Sequence, residues 1–372
     1  MKSILLIIAI VIVAGCRENY ELPVQPSEVS MLVVEGLLNP GGPTSIVLSK
    51  TSKLTERAQF KPELKAQVTV EGKDNSRYGF TEMGNGTYSI GRLDTQFGKE
   101  YRLRIRTADG RQYTSDYVRA RKTPAIDSVN WKHTPDGGID IYVNTHDPLS
   151  ASRYYKWDFE ETWEIRSPYE AHYKWVTGAT IIPMPLNERY SVCWKYDNSK
   201  QLFLGSSEKL NADVIYEAPL THIDKGSEKI GERYSILVKQ YSLTKEAYNY
   251  FLLMKKNTEM LGGVFDPQPS ELNGNIHNEA NPSEKVIGFL DISSIEEKRL
   301  FVTYREAGWR YLMECNEQIM SNIPSVILNY VPDYLPWDAY EVNGNIQYYN
   351  IALAHCVDCR ERGGSLIKPS YW

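Results

Sequence analysis

Along residues 155–165, Tyr155, Trp157, Phe159, Trp163 and Ile165 fall on one side of a period of two, and Lys156, Asp158, Glu160, Thr162 and Glu164 on the other. That period belongs to a strand with one buried face; a helix would scatter the same residues around its axis. Tyr234, Ile236 and Val238 alternate in the same way, as do Tyr101, Leu103 and Ile105 against Arg102, Arg104 and Arg106. Further short β-branched or aromatic runs lie at 31–38, 45–49, 67–71 and 78–81, separated by turn clusters such as Asn39-Pro40-Gly41-Gly42 and Gly84-Asn85-Gly86. Short strands at such spacing predict a mainly β chain that opens on an Ig-like or transthyretin-like sandwich. The arginine row of residues 102–106 reads as a solvated sheet face rather than an anion site.

Lys122-Thr123-Pro124 interrupts the pattern and divides the chain into a sandwich at 29–122 and a second β-rich domain at 123–372. One helix is expected in the second domain, at about 244–261. Thr244 caps it, Ala247, Tyr248, Phe251, Leu252, Met254 and Leu261 form its apolar stripe, and Gly262-Gly263 ends it. Phe265-Asp266-Pro267-Gln268-Pro269 reads as a rigid loop. Pro324, Pro332, Pro336 and Pro369 predict a tail that wraps over the sheets as ordered loop, and the two Asn-Gly-Asn-Ile copies, at 273–276 and 343–346, read as turns.

The first sixteen residues carry a different message. Lys2, an apolar run from Ile4 to Val13 and the small pair Ala14-Gly15 make up a secretory signal peptide over 1–15. Val13-Ala14-Gly15-Cys16 resembles a bacterial lipobox, in which the cysteine sulfur is acylated and becomes the first mature residue. Each buried acyl methylene contributes about 0.8 kcal/mol, so several chains on Cys16 anchor stably. Residues 16–28 then form the lipidated cysteine and a tether with Pro23 and Pro26; its twelve residues after Cys16 reach at most about 35–40 Å. Arg17 stands where an inner-membrane retention signal carries aspartate, which favours the outer membrane.

Composition narrows the partners. With 42 Lys+Arg against 47 Asp+Glu the chain is acidic, so no nucleic-acid partner is expected, because phosphate-backbone binding needs concentrated positive charge. His133, His146, His172, His222, His277 and His355 are scattered without metal-ligand spacing, and no nucleophile elbow or phosphate loop occurs. No catalytic residue, metal or cofactor is expected beyond the lipid on Cys16. Asp158, Glu160 and Glu164 share a strand face at a separation a glycosidase pair tolerates, but a solvated acidic face explains them as well. Four cysteines remain besides Cys16: Cys193, Cys315, Cys356 and Cys359. In an exported chain they predict two disulfides, with the tail pair tied to Cys193 and Cys315 in an order left open. The 26 Tyr and 8 Trp mostly serve sheet faces, while Tyr169, Tyr173 and Trp175, in a less regular stretch, are the candidate contact aromatics.

Taken together, Leu32-Val33-Val34-Glu35-Gly36, residues 155–163 and 234–243, Phe265 to Ser270, Gly274-Asn275-Ile276, and the ending Cys356-Val357-Asp358-Cys359, Gly363-Gly364, Lys368-Pro369 and Trp372 resemble the Bacteroidota lipoproteins that carry the domain of unknown function 4249. The resemblance implies a cell-envelope lipoprotein whose genes accompany TonB-dependent outer-membrane receptors; it implies no enzyme activity and supplies no catalytic residues. The expected role is that of an accessory partner of a TonB-dependent β-barrel, lipid-anchored in the outer membrane and facing the cell surface. A surface glycan-binding or glycan-processing lipoprotein and a structural envelope adhesin are the alternatives.

Overall fold

A computed structural model describes residues 30–52, 60–259 and 270–372. Cys16, its tether, Leu261 and the Phe265 to Pro269 loop lie outside the described residues. The chain is mainly β, as its alternating runs predict. In the first sandwich, one sheet pairs Leu32–Glu35, Thr44–Lys50, Thr87–Ile90 and Thr81–Gly84, and the other pairs Arg77–Gly79, Gln67–Gly72, Glu100–Arg106 and Gln112–Ser115. The inward members of each alternation meet in one core, where Leu32, Ile46, Leu48 and Tyr88 pack with Val70, Tyr101, Leu103 and Ile105. Each fully buried side chain of this size contributes about 2 kcal/mol. Two of the outward arginines are held by carboxylates: Arg102 Nη2 lies 2.8 Å from Glu71 Oε2, and Arg104 reaches both Glu71 and Glu279, while Arg106 is exposed.

The second sandwich sets a sheet of Ile126–His133, Ile139–Asp147 and Asp213–Ile223 against a sheet of Val192–Asn198, Tyr154–Arg166, Arg233–Ser242 and Ile295–Thr303. Trp157, fully buried between them, donates its indole N–H to Gln240 Oε1 at 2.8 Å. The Gln240 amide in turn donates to Pro124 O and Thr145 Oγ1, so this buried polar group is satisfied on both ends. Glu161 shares the inward face with Trp157 and Trp163, and its burial is matched by the Tyr234 hydroxyl at 2.6 Å and Lys229 Nζ at 2.5 Å.

The outer face of Tyr154–Arg166 departs from the expectation of a solvated acidic face. Lys156, Thr162 and Glu164 are buried. The helix Lys245–Glu259 brings Phe251 to within 6.0 Å of the Lys156 ammonium, beside Tyr241 at 4.8 Å. At the other end, Tyr371 hydrogen-bonds Thr162 and Trp372 donates to Glu164. Sequence alternation identifies which side chains share a face, but not what a segment two hundred positions away lays on it.

Thr244 caps the helix, its Oγ1 accepting from Ala247 N at 3.0 Å. After the helix the chain returns to the first sandwich. Ile276–Asn278 pairs with Gln112–Ser115, and Val286–Ile287 runs parallel to Leu32–Glu35. The first sandwich is thus built from two separate stretches, an arrangement that a simple division at residue 122 does not foresee. At the return, a Cβ on Gly274 would overlap the Gly288 carbonyl oxygen, so the close approach requires glycine.

The proline-rich tail is not a loop. Gln318–Ser321, Asn345–Leu353 and Tyr334–Val342 form a three-stranded antiparallel sheet. Asn343 and Gly344, both at positive φ, make the tight turn between the last two strands. Pro336 is tolerated because it lies on an edge strand where the register shifts, between Pro336 and Asp338, and Pro324 opens a single helical turn at Pro324–Ile327.

Candidate functional site

Two disulfides tie this C-terminal lobe down. Cys193 bonds Cys359 and Cys315 bonds Cys356, with Cα–Cα separations of 5.8 and 6.0 Å. Cys356-Val357-Asp358-Cys359 is therefore a double staple, each cysteine leaving for a different partner, rather than a redox pair. The Asp358 side chain between them accepts from Arg360 N at 2.9 Å and starts the turn Cys359–Arg362. Asp358 also holds the Arg360 guanidinium, at 2.6 Å, which sits 4.6 Å above the Tyr190 ring. Burial pushes the Tyr190 hydroxyl up to about 12, and the Asp358 charge adds to the rise.

A cleft of about 1040 Å³ opens beside this turn. Lys174 and Trp175 line it from the hairpin Tyr173–Thr177 and Thr180–Pro183; Asp333, Tyr334 and Leu335 line it at the start of Tyr334–Val342; Tyr190, His355 and Glu361 line it around the staple. The Trp175 indole N–H donates to Gly178 O at 2.8 Å, which fixes the ring on its hairpin.

The three candidate contact aromatics part company here. Tyr169 stacks on Trp337, centroids 4.9 Å apart, and donates to Cys315 O at 3.1 Å. Tyr173 meets Tyr349 edge-on at 5.6 Å and donates to Glu341 at 3.0 Å. Both are occupied in packing the lobe, and Trp175 alone of the three lines the cleft. The strand carboxylates are elsewhere and paired: Asp158 with Lys156, Glu160 with Lys239, Glu164 with Arg166. Tyr190, Asp333, Tyr334, His355 and Glu361 escaped sequence reasoning as site residues, since long-range strand pairing, backbone hydrogen bonds and the staples together bring these distant positions to one place.

Among the described residues, two side-chain groups have metal-ligand proximity. In Cys315, His355 and Cys356 the sulfurs are bonded to each other and offer no thiolate, and Asp136, His222 and Asp224 form an exposed surface group. Among the described residues no helix is long and apolar enough to cross a membrane.

Fold and staples define a mainly β protein of two sandwiches with a disulfide-tied C-terminal lobe. The chain belongs to the family described as "Domain of unknown function (DUF4249)", whose model matches residues 17–299. Residues 300–372, which supply Cys315, Cys356 and Cys359 to the stapled lobe, lie beyond that match. No curated protein matches the chain significantly. Among solved structures, the FN1-FN3 domains of chicken CNTN1 align at 12% identity over 57% of this chain and 62% of that one, with a TM-score of 0.20. Salmonella alpha-2-macroglobulin aligns at 10% identity over 60% of this chain but 14% of its own length, TM-score 0.18. The chicken interferon gamma receptor alpha chain gives 12% identity, 57% and 90% coverage, and a TM-score of 0.15. Overlays this loose carry no argument about function.

Proposed function

We propose that the chain is a non-enzymatic outer-membrane lipoprotein, anchored through lipid on Cys16, that serves a TonB-dependent β-barrel transporter as accessory partner. The observation that carries this reading is Val13-Ala14-Gly15-Cys16 followed by a proline-containing tether. The family match begins at residue 17, directly after the cysteine, which fits a mature chain starting there. A tether that reaches at most about 35–40 Å would let the sandwiches stand clear of the headgroups while staying within reach of a barrel mouth. An open cleft on a rigid, stapled lobe supports substrate capture over a flat adhesive patch. The favoured orientation is towards the cell surface.

The test is a detergent pull-down on the full chain, with lipidation of Cys16 verified by mass spectrometry. Recovery of a large β-barrel supports the partnership, and recovery of none sinks it. Loss of membrane association in Cys16→Ala supports the anchor separately. Surface glycan binding is the second reading, favoured by the placement of Trp175 in the cleft with Tyr334. Glycan-array binding lost in Trp175→Ala would promote it.

A further inference from the structure

The cleft has an unusual charge arrangement once its pairs are assigned. Its two cations are both engaged within the lining itself, Lys174 with Glu188 and Arg360 with Asp358. Its other two carboxylates, Asp333 and Glu361, are exposed and form no side-chain hydrogen bond or ion pair among the described residues, the Glu361 charge acting on Arg360 only at longer range. A concave surface with uncompensated charge of one sign concentrates the field and draws in ligands of the other sign. Apart from the His355 imidazole, an anionic ligand would find no basic group outside those two pairs.

The rings add to the same preference. Trp175 and Tyr334 line the cleft, and an ammonium or guanidinium over such faces gains about 0.5–2 kcal/mol. The site is also held in advance of binding. Cys356 and Cys359 lock the turn that carries His355 and Glu361, and the Gly178 carbonyl holds Trp175, so little ordering cost remains for the ligand to offset. At about 1040 Å³ the cleft sits at the upper end for small-molecule sites, enough for a few linked residues rather than one amino acid. A bare metal ion fits poorly: Asp333 and Glu361 belong to neither of the side-chain groups that converge closely enough to chelate one.

We infer that the cleft between Trp175, Tyr334 and the double staple binds an elongated cationic ligand bearing ammonium or guanidinium groups, of the size of a short basic peptide. The carboxylates of Asp333 and Glu361 take its charges and the two rings take its alkyl or planar parts. This inference rests on the capture reading above. It requires no barrel, so a silent binding assay would leave the membrane partnership standing, and a failed pull-down would leave the cleft standing.

Isothermal titration calorimetry on the detergent-solubilised full chain tests it, with capped tri-lysine, spermidine, capped tri-glutamate and a neutral maltohexaose as probes. Tri-lysine is expected to bind, to weaken as salt rises, and to lose about tenfold in affinity in the Asp333→Asn/Glu361→Gln double variant. Trp175→Ala should weaken it several-fold. The charge variants are near-isosteric at exposed positions, so an unchanged melting curve will show that the fold is intact. Spermidine outcompeting tri-lysine would support the cationic class and assign a polyamine as its source. The inference is overturned if neither cation binds, if the double variant binds tri-lysine as well as the parent does, or if maltohexaose or tri-glutamate binds as tightly.

Discussion

Arg121 Nη2 lies 2.7 Å from Oδ1 of Asp291, a carboxylate with no solvent exposure. The same Asp291 accepts from Thr244 N at 3.1 Å and Ile292 N at 2.9 Å, while Arg121 also donates to Ser242 O at 3.0 Å. One ion pair therefore joins the end of the first sandwich, the start of the helix and the returning strand segment. Removing one partner of a buried pair leaves the other charge desolvated and costs about 3–5 kcal/mol. Asp291→Ala should lose that much in urea unfolding, and Asp291→Asn, which keeps an acceptor, less. A loss under about 1 kcal/mol would show that the junction does not depend on this pair.

The two staples close loops of very different length. Cys315–Cys356 spans 41 residues and Cys193–Cys359 spans 166. Chain entropy assigns them about 4 and about 5 kcal/mol respectively. Paired Cys→Ser replacement of each bridge should follow that order in denaturation midpoint. Under denaturing, non-reducing conditions the four cysteines should give no thiol reaction, and peptide mapping should recover the two linked pairs. Two titratable thiols would contradict one bridge, and four would contradict both.

Much of this architecture is legible locally. Tyr101-Leu103-Ile105, Tyr234-Ile236-Val238 and the long strand at residue 155 each show their buried face by alternation, and Thr244 shows the helix start by its type. What escapes is set by contacts between distant positions. Glu161 sits on an apolar face because Tyr234 and Lys229 meet it there. Pro336 read as a strand breaker because its edge position, where a missing N–H costs nothing, is a property of the assembled sheet. The cleft is the extreme case. Trp175, Tyr190, Asp333 and Glu361 have no common periodicity; strand pairing and two staples gather them, and four cysteines allow three connectivities in sequence.

His222 sits among three aspartates on the surface. Its Nδ1 is 2.7 Å from Asp140 Oδ1, and its Nε2 is 3.3 Å from Asp224 and 3.5 Å from Asp136. The Asp140 hydrogen bond is the main cause that raises its pKa above the ordinary 6.5, with the neighbouring charges adding. A raised folded value favours the protonated form, so this stabilisation is complete below about 6.5 and fades as pH rises through the folded value. An NMR titration should place the His222 midpoint above 6.5, and Asp140→Asn should lower it. A midpoint that ignores the substitution would show that the hydrogen bond is not the cause.

The final strap is the most direct test of how the second sandwich is closed. Trp372 donates its indole N–H to Glu164 Oε2 at 3.0 Å and meets Phe301 edge-on at 5.8 Å. Arg233 lies against both rings, 4.1 Å from the Phe301 centroid and 5.3 Å from that of Trp372. Beside it, Arg299 stands 3.5 Å over Tyr371, whose hydroxyl pairs with Thr162 at 2.7 Å. Truncating Trp372 removes a cation–π contact, an aromatic pair and a hydrogen bond to a buried carboxylate, terms of about 1 kcal/mol each. Trp372→Ala should therefore cost about 2–3 kcal/mol, and Trp372→Phe, which keeps the ring but not the donor, about 1 kcal/mol. Glu164 retains Arg166 at 2.8 Å in either variant, so its carboxylate is not left without a partner. Amide exchange along Tyr154–Arg166 should quicken at the Thr162 and Glu164 end in Trp372→Ala; unchanged exchange there would mean the strap rests on the sheet without stabilising it.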